Sequence, residues 1–174
     1  DAGSVGGGVC MNAGAYGGEM KQVVQEVIVL TEDGIRHIPG AECAFGYRKS
    51  AFSDGKTVIL GAKLHLKKGD PAQIRDKMAE LMAKRKASQP LEYPSAGSTF
   101  KRPEGYYAGT LIQETGLKGL TVGGAQVSEK HAGFVINTGG ATCADVMALI
   151  AQVQDRVMQR SGVHLEPEVR IIEN

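Results

Sequence analysis

Four short polar segments carry the residue types that chemistry needs. Residues 45–50 read FGYRKS and set Arg48 between an aromatic pair and a serine. A planar guanidinium there can hold a carboxylate at two points. A solvated surface arginine would look the same in sequence, and Tyr47 reads as packing. Residues 94–100, PSAGSTF, place Ser98 directly after a glycine, in a sharp turn that exposes its hydroxyl. The pattern is not G-x-S-x-G, so a hydrolase nucleophile is not supported. His37, His65, His131 and His164 stand in no readable triad with it. A serine that gives a proton needs no triad; a turn or cap hydroxyl is the plain alternative. In residues 166–170, EPEVR, an alternating strand would put Glu166, Glu168 and Arg170 on one face. Two carboxylates beside an arginine suit acid/base or electrostatic work, or on an edge strand are simply solvated. The fourth segment is the glycine-rich stretch 5–18, where main-chain N–H groups could approach a phosphate. No G-K-[ST] follows it and no strand precedes it, so it is neither a P-loop nor a dinucleotide fingerprint. The histidine spacings, H-x27-H, H-x65-H and H-x32-H, match no metal site, and none is expected.

The chain that must position these groups has 174 residues, enough for one ordinary domain or two small ones. Twenty Lys+Arg against nineteen Asp+Glu leave a net charge of +1, so no net field draws nucleic acid. Trp is absent and aromatic residues make 5%, which weakens a base-stacking platform. No apolar run approaches membrane-span length, and residues 1–20 have no basic n-region, so no leader is expected. Three scattered cysteines argue against a disulfide scaffold and for a reducing compartment. Glycine is the excess: 24 residues, fourteen of them within 3–18 and 116–140, where tight turns or close backbone approach are expected.

Residues 23–30 and 35–38 read as a hairpin around Asp33-Gly34. Residues 57–66 read as a strand with Ala62, Leu64 and Leu66 facing inward and Lys63, His65 and Lys67 outward. Asp70-Pro71 opens a helix to about Ala87, with Ile74, Met78, Leu81 and Met82 as its apolar stripe. Residues 91–105 read as an aperiodic loop. A helix over 106–115 stops at Gly116, and short strands follow at 120–122, 125–127 and 133–137. Thr142 with Asp145 forms a capping box for a helix whose stripe is Val146, Leu149, Ile150, Val153 and Val157. Gly162 ends it, and 163–172 reads as a last strand around Pro167. This is an α+β organisation in two lobes.

Taken together and in order, the segments GSVGG…MNAGAYGGE (3–19), FGYRKSAF (45–52), QPLEYPSAGSTFKRP (89–103), LIQETGLKG (111–119), GGAQVSEKHAGFVIN (123–137) and LEPEVRII (165–172) resemble the UDP-N-acetylenolpyruvoylglucosamine reductase family of bacterial peptidoglycan synthesis. The resemblance implies FAD as cofactor, NADPH as hydride source and an enolpyruvyl UDP-sugar as substrate. It implies a partial FAD-binding lobe, an antiparallel sheet with helices, over 1–69. It also implies a small α/β substrate-binding domain over 70–164, and a C-terminal strand with a catalytic glutamate over 165–174. The first flavin subdomain is expected to be a missing partner. The chain opens without an initiator methionine, and Asp1-Ala2 stands where the family reads G-I-P. By motif position Ser98 resembles the proton donor, Arg48 the arginine beside the substrate carboxylate, and Glu168 the acid that stabilises the enolic intermediate. Lys118, Arg102 and His131 match substrate contacts, although some members carry Asn at the Arg102 position. Ser4, Val5, Gly6, Gly7, Asn12, Ala13, Gly14 and Ala15 match the flavin-contacting stretch. Only 50 residues separate Arg48 from Ser98, which resembles the shorter subtype without a substrate-covering tyrosine loop. A cytoplasmic location follows from the same likeness. The rival expectations are a non-catalytic UDP-sugar-binding module and a serine hydrolase.

Overall fold

The structure is a computed structural model and describes residues 3–172. The expectation placed on Asp1-Ala2 lies outside the described residues. The chain falls into two compact units, one up to Asp70 and one from Pro71, and each is described by itself.

The first unit is built on a three-stranded antiparallel sheet. Strand β3 (Val24–Thr31) lies between β4 (Gly34–Pro39) and β5 (Val58–Leu64). β1 (Gly14–Ala15) and β2 (Gly18–Glu19) form a separate small hairpin. The β3–β4 connection sits one residue earlier than expected. Thr31 pairs with Gly34, which leaves Glu32-Asp33 as the loop and starts β4 on Gly34 at φ 106°. β-branched residues of β3 supply the core, where Val24, Val27 and Val29 pack with Val9, Cys43 and Phe52. Burial raises the Cys43 thiol above its usual range, with Glu42 adding to the effect.

Two expectations for this unit fail, one of them in part. Ser4–Cys10 is not a glycine turn. Val5–Cys10 forms a six-residue helix, α1, capped by the Ser4 hydroxyl, which accepts from Gly7 N at 3.0 Å. Three consecutive glycines are poor helix formers; a Cβ on Gly6 would meet Ile59 at 3.7 Å, an ordinary contact, so it is the Ser4 cap rather than a steric demand that the structure shows supporting this helix. Of the inward face assigned to Ala62, Leu64 and Leu66, only Ala62 packs against the core; Leu64 is 41% and Leu66 67% exposed. The β3–β5 register slips between the Val29–Ile59 and Ile28–Gly61 pairs, and His65 N to Val23 O is the last rung before the chain leaves the sheet.

In the second unit, α2 (Pro71–Ser88) starts at the expected proline but buries no residue. Its stripe is not a core face: Ile74, Met78 and Met82 are exposed. Charges flank those positions, and the helix is supported along its surface by Glu80 pairing with Lys77 and Lys84. Those two ammonium groups hold the Glu80 carboxyl down at about 2.

The core of this unit lies under a four-stranded antiparallel sheet of order β6-β9-β8-β7. The strands are β6 (Ser95–Ser98), β7 (Thr121–Val122), β8 (Ala125–Val127) and β9 (Phe134–Asn137). Strand β6 lies in the expected loop, since Ser, Ala and Gly have weak strand preference; pairing with the buried β9 overrides that. Helices α3 (Ala108–Glu114) and α4 (Cys143–Ser161) contribute Leu111, Ile112, Leu149, Ile150, Val153 and Val157 to the core. The α4 stripe is as the sequence predicts.

The last strand is not formed. Within 163–172 only Pro167 bridges to Phe100. Proline lacks the N–H that a continuing ladder needs, and the bonds that form lie on either side of it: Lys101 N to Glu166 O and Glu168 N to Thr99 O, each 2.8 Å.

The α4 N-terminus has the expected capping box. Asp145 N donates to Thr142 Oγ1 at 3.1 Å and Thr142 N to Asp145 Oδ2 at 2.9 Å. The Thr142 backbone bond, and then its hydroxyl, lower the Asp145 carboxyl below its usual value. A lowered folded value means that this contribution is whole above the unfolded value of about 4 and is lost as pH falls through the folded one. Asp145→Asn is therefore expected to cost stability at pH 7 and progressively less below about pH 4. Urea unfolding at pH 7 and pH 3 checks this; an equal cost at both would count against the carboxylate.

Candidate functional site

In the first unit the glycine hairpin and the FGYRKS turn meet. The β1–β2 hairpin turns through Tyr16 (φ 52°) and Gly17 (φ 83°). The second turn is closed by Gly46 N donating to Lys49 O at 3.0 Å and holds Tyr47 and Arg48 at its tip. Arg48 Nη1 donates to Gly14 O at 3.2 Å, and its guanidinium carbon lies 5.4 Å from the Tyr47 ring centroid. Between the two turns is a cavity of about 270 Å³ lined by Asn12, Gly14, Ala15, Gly17, Gly18, Glu19, Tyr47 and Arg48.

Thus Arg48 and three of the flavin-stretch candidates, Asn12, Gly14 and Ala15, share one cavity. Ser4, Val5, Gly6, Gly7 and Ala13 are not among its lining residues. Ser4 and Gly7 are spent on the α1 cap, and Ala13 bonds through its backbone to Gly8 O and Met20 N.

Backbone strain gathers here. The described non-glycine residues with positive φ are Asn12, Tyr16, Ala44 and Arg48, at 45°, 52°, 46° and 54°. Such conformations cost about 1–2 kcal/mol each and cluster where structure serves function. Ala44 bears the strain without a polar side chain. Ala44→Gly is expected to raise unfolding free energy by about 0.5–1 kcal/mol, the relief exceeding glycine's extra unfolded-state entropy. Chemical denaturation checks it.

In the second unit the Ser98 and Glu168 segments are joined through the backbone of Thr99. Thr99 is the pivot: its N donates to Gly133 O at 2.9 Å, its O accepts from Glu168 N at 2.8 Å, and its buried hydroxyl accepts from Val135 N at 3.0 Å. Ser98 therefore ends β6 with an exposed side chain, paired with Phe134, one residue from the strand contact with Glu168. Gly97 takes φ 85° just before it. Glu166 is engaged by the Lys101 ammonium.

His131 belongs to the same end of the sheet. Its ring meets Phe134 edge-on at 4.9 Å between centroids, and its Nδ1 accepts from Gly133 N at 3.1 Å. Burial first, and then the Lys118 charge, lower its titration, so it is held neutral. Neutral His131 accepting at Nδ1 carries its proton on Nε2. Lys118 is half-buried beside it. Arg102 stacks on Tyr107 at 4.0 Å, and its Nε donates to Tyr106 O at 3.3 Å. Arg102 lines an open groove of about 340 Å³ with Lys101, Glu104, Tyr106, His164 and Glu166, to which Lys118 and His131 do not contribute.

Residues 89–172 match the family model described as UDP-N-acetylenolpyruvoylglucosamine reductase, C-terminal domain. Over 171 residues, 98% of this chain, the sequence is 56% identical to the UDP-N-acetylenolpyruvoylglucosamine reductase of Pediococcus pentosaceus and 52% identical to that of Exiguobacterium sibiricum. The crystal structure of the reductase from Thermus caldophilus matches with a TM-score of 0.83 at 38% identity, over 95% of this chain and 59% of that one. The chain belongs to the UDP-N-acetylenolpyruvoylglucosamine reductase family. It spans 57% and 56% of the lengths of the two curated relatives. Within the reductase family motifs, sequence reasoning passed over Glu19, Thr99 and Ser128. Each was hidden by ordinary chemistry: Ser128 is a buried hydroxyl that accepts from Lys130 N and His131 N, both at 3.2 Å, and so shapes the His131 loop. No helix among the described residues is long and apolar enough to cross a membrane.

Proposed function

We propose that this sequence supplies the substrate-reducing machinery of an NADPH- and FAD-dependent reductase of the enolpyruvyl group of a UDP-sugar, giving the lactyl ether used in peptidoglycan synthesis. The observation that supports this reading is the backbone bond from Glu168 N to the carbonyl of Thr99, the neighbour of Ser98, which joins the two segments that carry the candidate proton donor and carboxyl.

The cavity beside Arg48 would hold part of FAD, which when bound and reduced by NADPH would supply the hydride added at C3 of the alkene. That addition builds negative charge at C2 and in the adjoining carboxylate. Arg48 neutralises the carboxylate through its planar fork, and Glu168 stabilises the enolic form as charge develops. Ser98 gives its hydroxyl proton to C2. A neutral serine is a weak acid, so its placement at the end of a paired strand is what makes transfer effective. Lys118 and Arg102 offer cations to the diphosphate, and the Nε2–H of His131 offers a directed neutral donor.

The residues fit part of a flavin. The cavity beside Arg48 is lined by the main chain of the glycine hairpin and one guanidinium, which suits the polar edge of a flat ring. Its volume is about 270 Å³, below the ~300–1,000 Å³ of pockets that enclose a whole ligand. We read it as one wall of the cofactor site in a partial FAD-binding lobe, with the rest of the dinucleotide held by a further flavin subdomain. The small size of the cavity also supports a second reading, in which this stretch alone binds the UDP-sugar without catalysis.

The test uses the full-length polypeptide carrying this sequence. A yellow preparation that consumes NADPH only when the enolpyruvyl UDP-sugar is present is the expected result. A folded, colourless protein that binds the UDP-sugar and consumes no NADPH would establish the binding module instead.

A further inference from the structure

We propose that Asn12 is a positioning residue that sets where Arg48 stands; this rests on the carboxylate-binding reading of Arg48 given above. Asn12 was expected to contact the cofactor, but its carboxamide is spent within the protein. It is 2% exposed. Its Nδ2 donates to Glu19 Oε2 at 2.7 Å and to Gly46 O at 3.1 Å, and its Oδ1 accepts from Lys21 N at 2.9 Å. Both donor protons and the acceptor are used, on two segments remote from each other in sequence.

The contact with Gly46 gives the arrangement its consequence. Gly46 and Lys49 close the turn that carries Arg48, and Gly46 O already accepts from Lys49 N at a long 3.4 Å. Asn12 therefore holds the base of that turn. From its tip Arg48 reaches back to Gly14 O at 3.2 Å, and Gly14 is the register partner of Glu19, which Asn12 also holds. The contacts close a ring: Asn12, Gly46, Arg48, Gly14, Glu19, Asn12.

Only asparagine satisfies this ring. Aspartate has no N–H to donate and would set a second carboxylate against Glu19. Leucine would leave Gly46 O and Lys21 N without their bonds, at the cost of unmade buried hydrogen bonds. Glutamine is one methylene too long. Asparagine also accepts φ 45° more readily than most residues. Glu19 completes the anchor because Lys21 holds it at 2.8 Å and lowers its carboxyl titration, followed by the bond from Asn12, so it stays an acceptor.

The experiment is a mutant cycle in the full-length enzyme, following the single-turnover transfer from reduced flavin to substrate. Asn12→Asp is expected to slow that step about a hundredfold, the scale of an ångström-level misplacement. Exchange of the Arg48 guanidinium protons, followed by NMR in the parent and the variant, should be faster in the variant. On an Arg48→Ala background Asn12→Asp should add almost nothing, since its route is already removed. Because Asn12→Asp alone could unfold the lobe, Asn12→Asp/Glu19→Gln is the second variant. It restores a bond between positions 12 and 19 but not the one to Gly46, and should recover thermal stability while transfer stays slow. Full recovery of transfer in that variant, or additive losses in the cycle, overturns the positioning role. An Arg48→Ala variant that transfers at the parent rate overturns the reading of Arg48 itself, and the positioning role with it.

Discussion

Ser98→Ala in the full-length enzyme is expected to leave flavin reduction by NADPH within about twofold of the parent. Transfer to the enolpyruvyl substrate should slow by about 10²–10⁴, the range of a single general acid. The two halves separate because the serine proton is needed only after hydride has reached C3. Ser98 is exposed at the end of β6, outside the buried core, so loss of its hydroxyl should leave the thermal midpoint nearly unchanged. Stopped-flow traces of flavin absorbance, taken with NADPH alone and then with substrate, read the two steps separately. Equal losses in both would remove Ser98 from the role of donor and make it a structural residue.

The second large effect is expected at Arg48→Lys. The charge is kept and the left-handed strain at position 48 is unchanged. What goes is the planar fork, which can bond Gly14 O through one nitrogen and a ligand in the cavity it lines through another. A lysine ammonium cannot do both. The loss of one charge-assisted hydrogen bond is about 1.5–3 kcal/mol, so kcat/KM for the substrate should fall roughly 10- to 150-fold, while flavin content stays at the parent level. A lysine variant within twofold of the parent would mean that Arg48 serves only to brace the hairpin.

The parts of this molecule legible in sequence are those governed by short-range rules. The Thr142–Asp145 box, the α4 stripe and the Gly162 stop follow from local chemistry, and each stands where its residues put it. The hairpin of β3 and β4 was legible for the same reason, to within one residue of its loop. What was hidden depends on partners remote in sequence. Strand β6 has a loop composition and exists because Phe134–Asn137 pairs with it. The stripe on α2 reads as core by period, yet buries nothing. The last strand fails at Pro167, where a single bridge to Phe100 takes its place.

The candidate site divides in the same way. Residue types and motif order singled out Arg48, Ser98 and Glu168. That Arg48 bonds the glycine hairpin, and that Thr99 bonds the backbone of Glu168, could come only from coordinates. Asn12 shows the limit most plainly. It lines the cavity as its motif suggests, and its three side-chain hydrogen bonds to the protein are invisible in sequence.

The most direct measurement is a crystal structure of the full-length polypeptide with flavin and the enolpyruvyl UDP-sugar bound. The expected result has the Arg48 guanidinium on the substrate carboxylate, Glu168 beside it, and Ser98 Oγ about 3–3.5 Å from C2 on the side away from the flavin. A substrate seated elsewhere, or any one of these three side chains turned to a different surface, would contradict it.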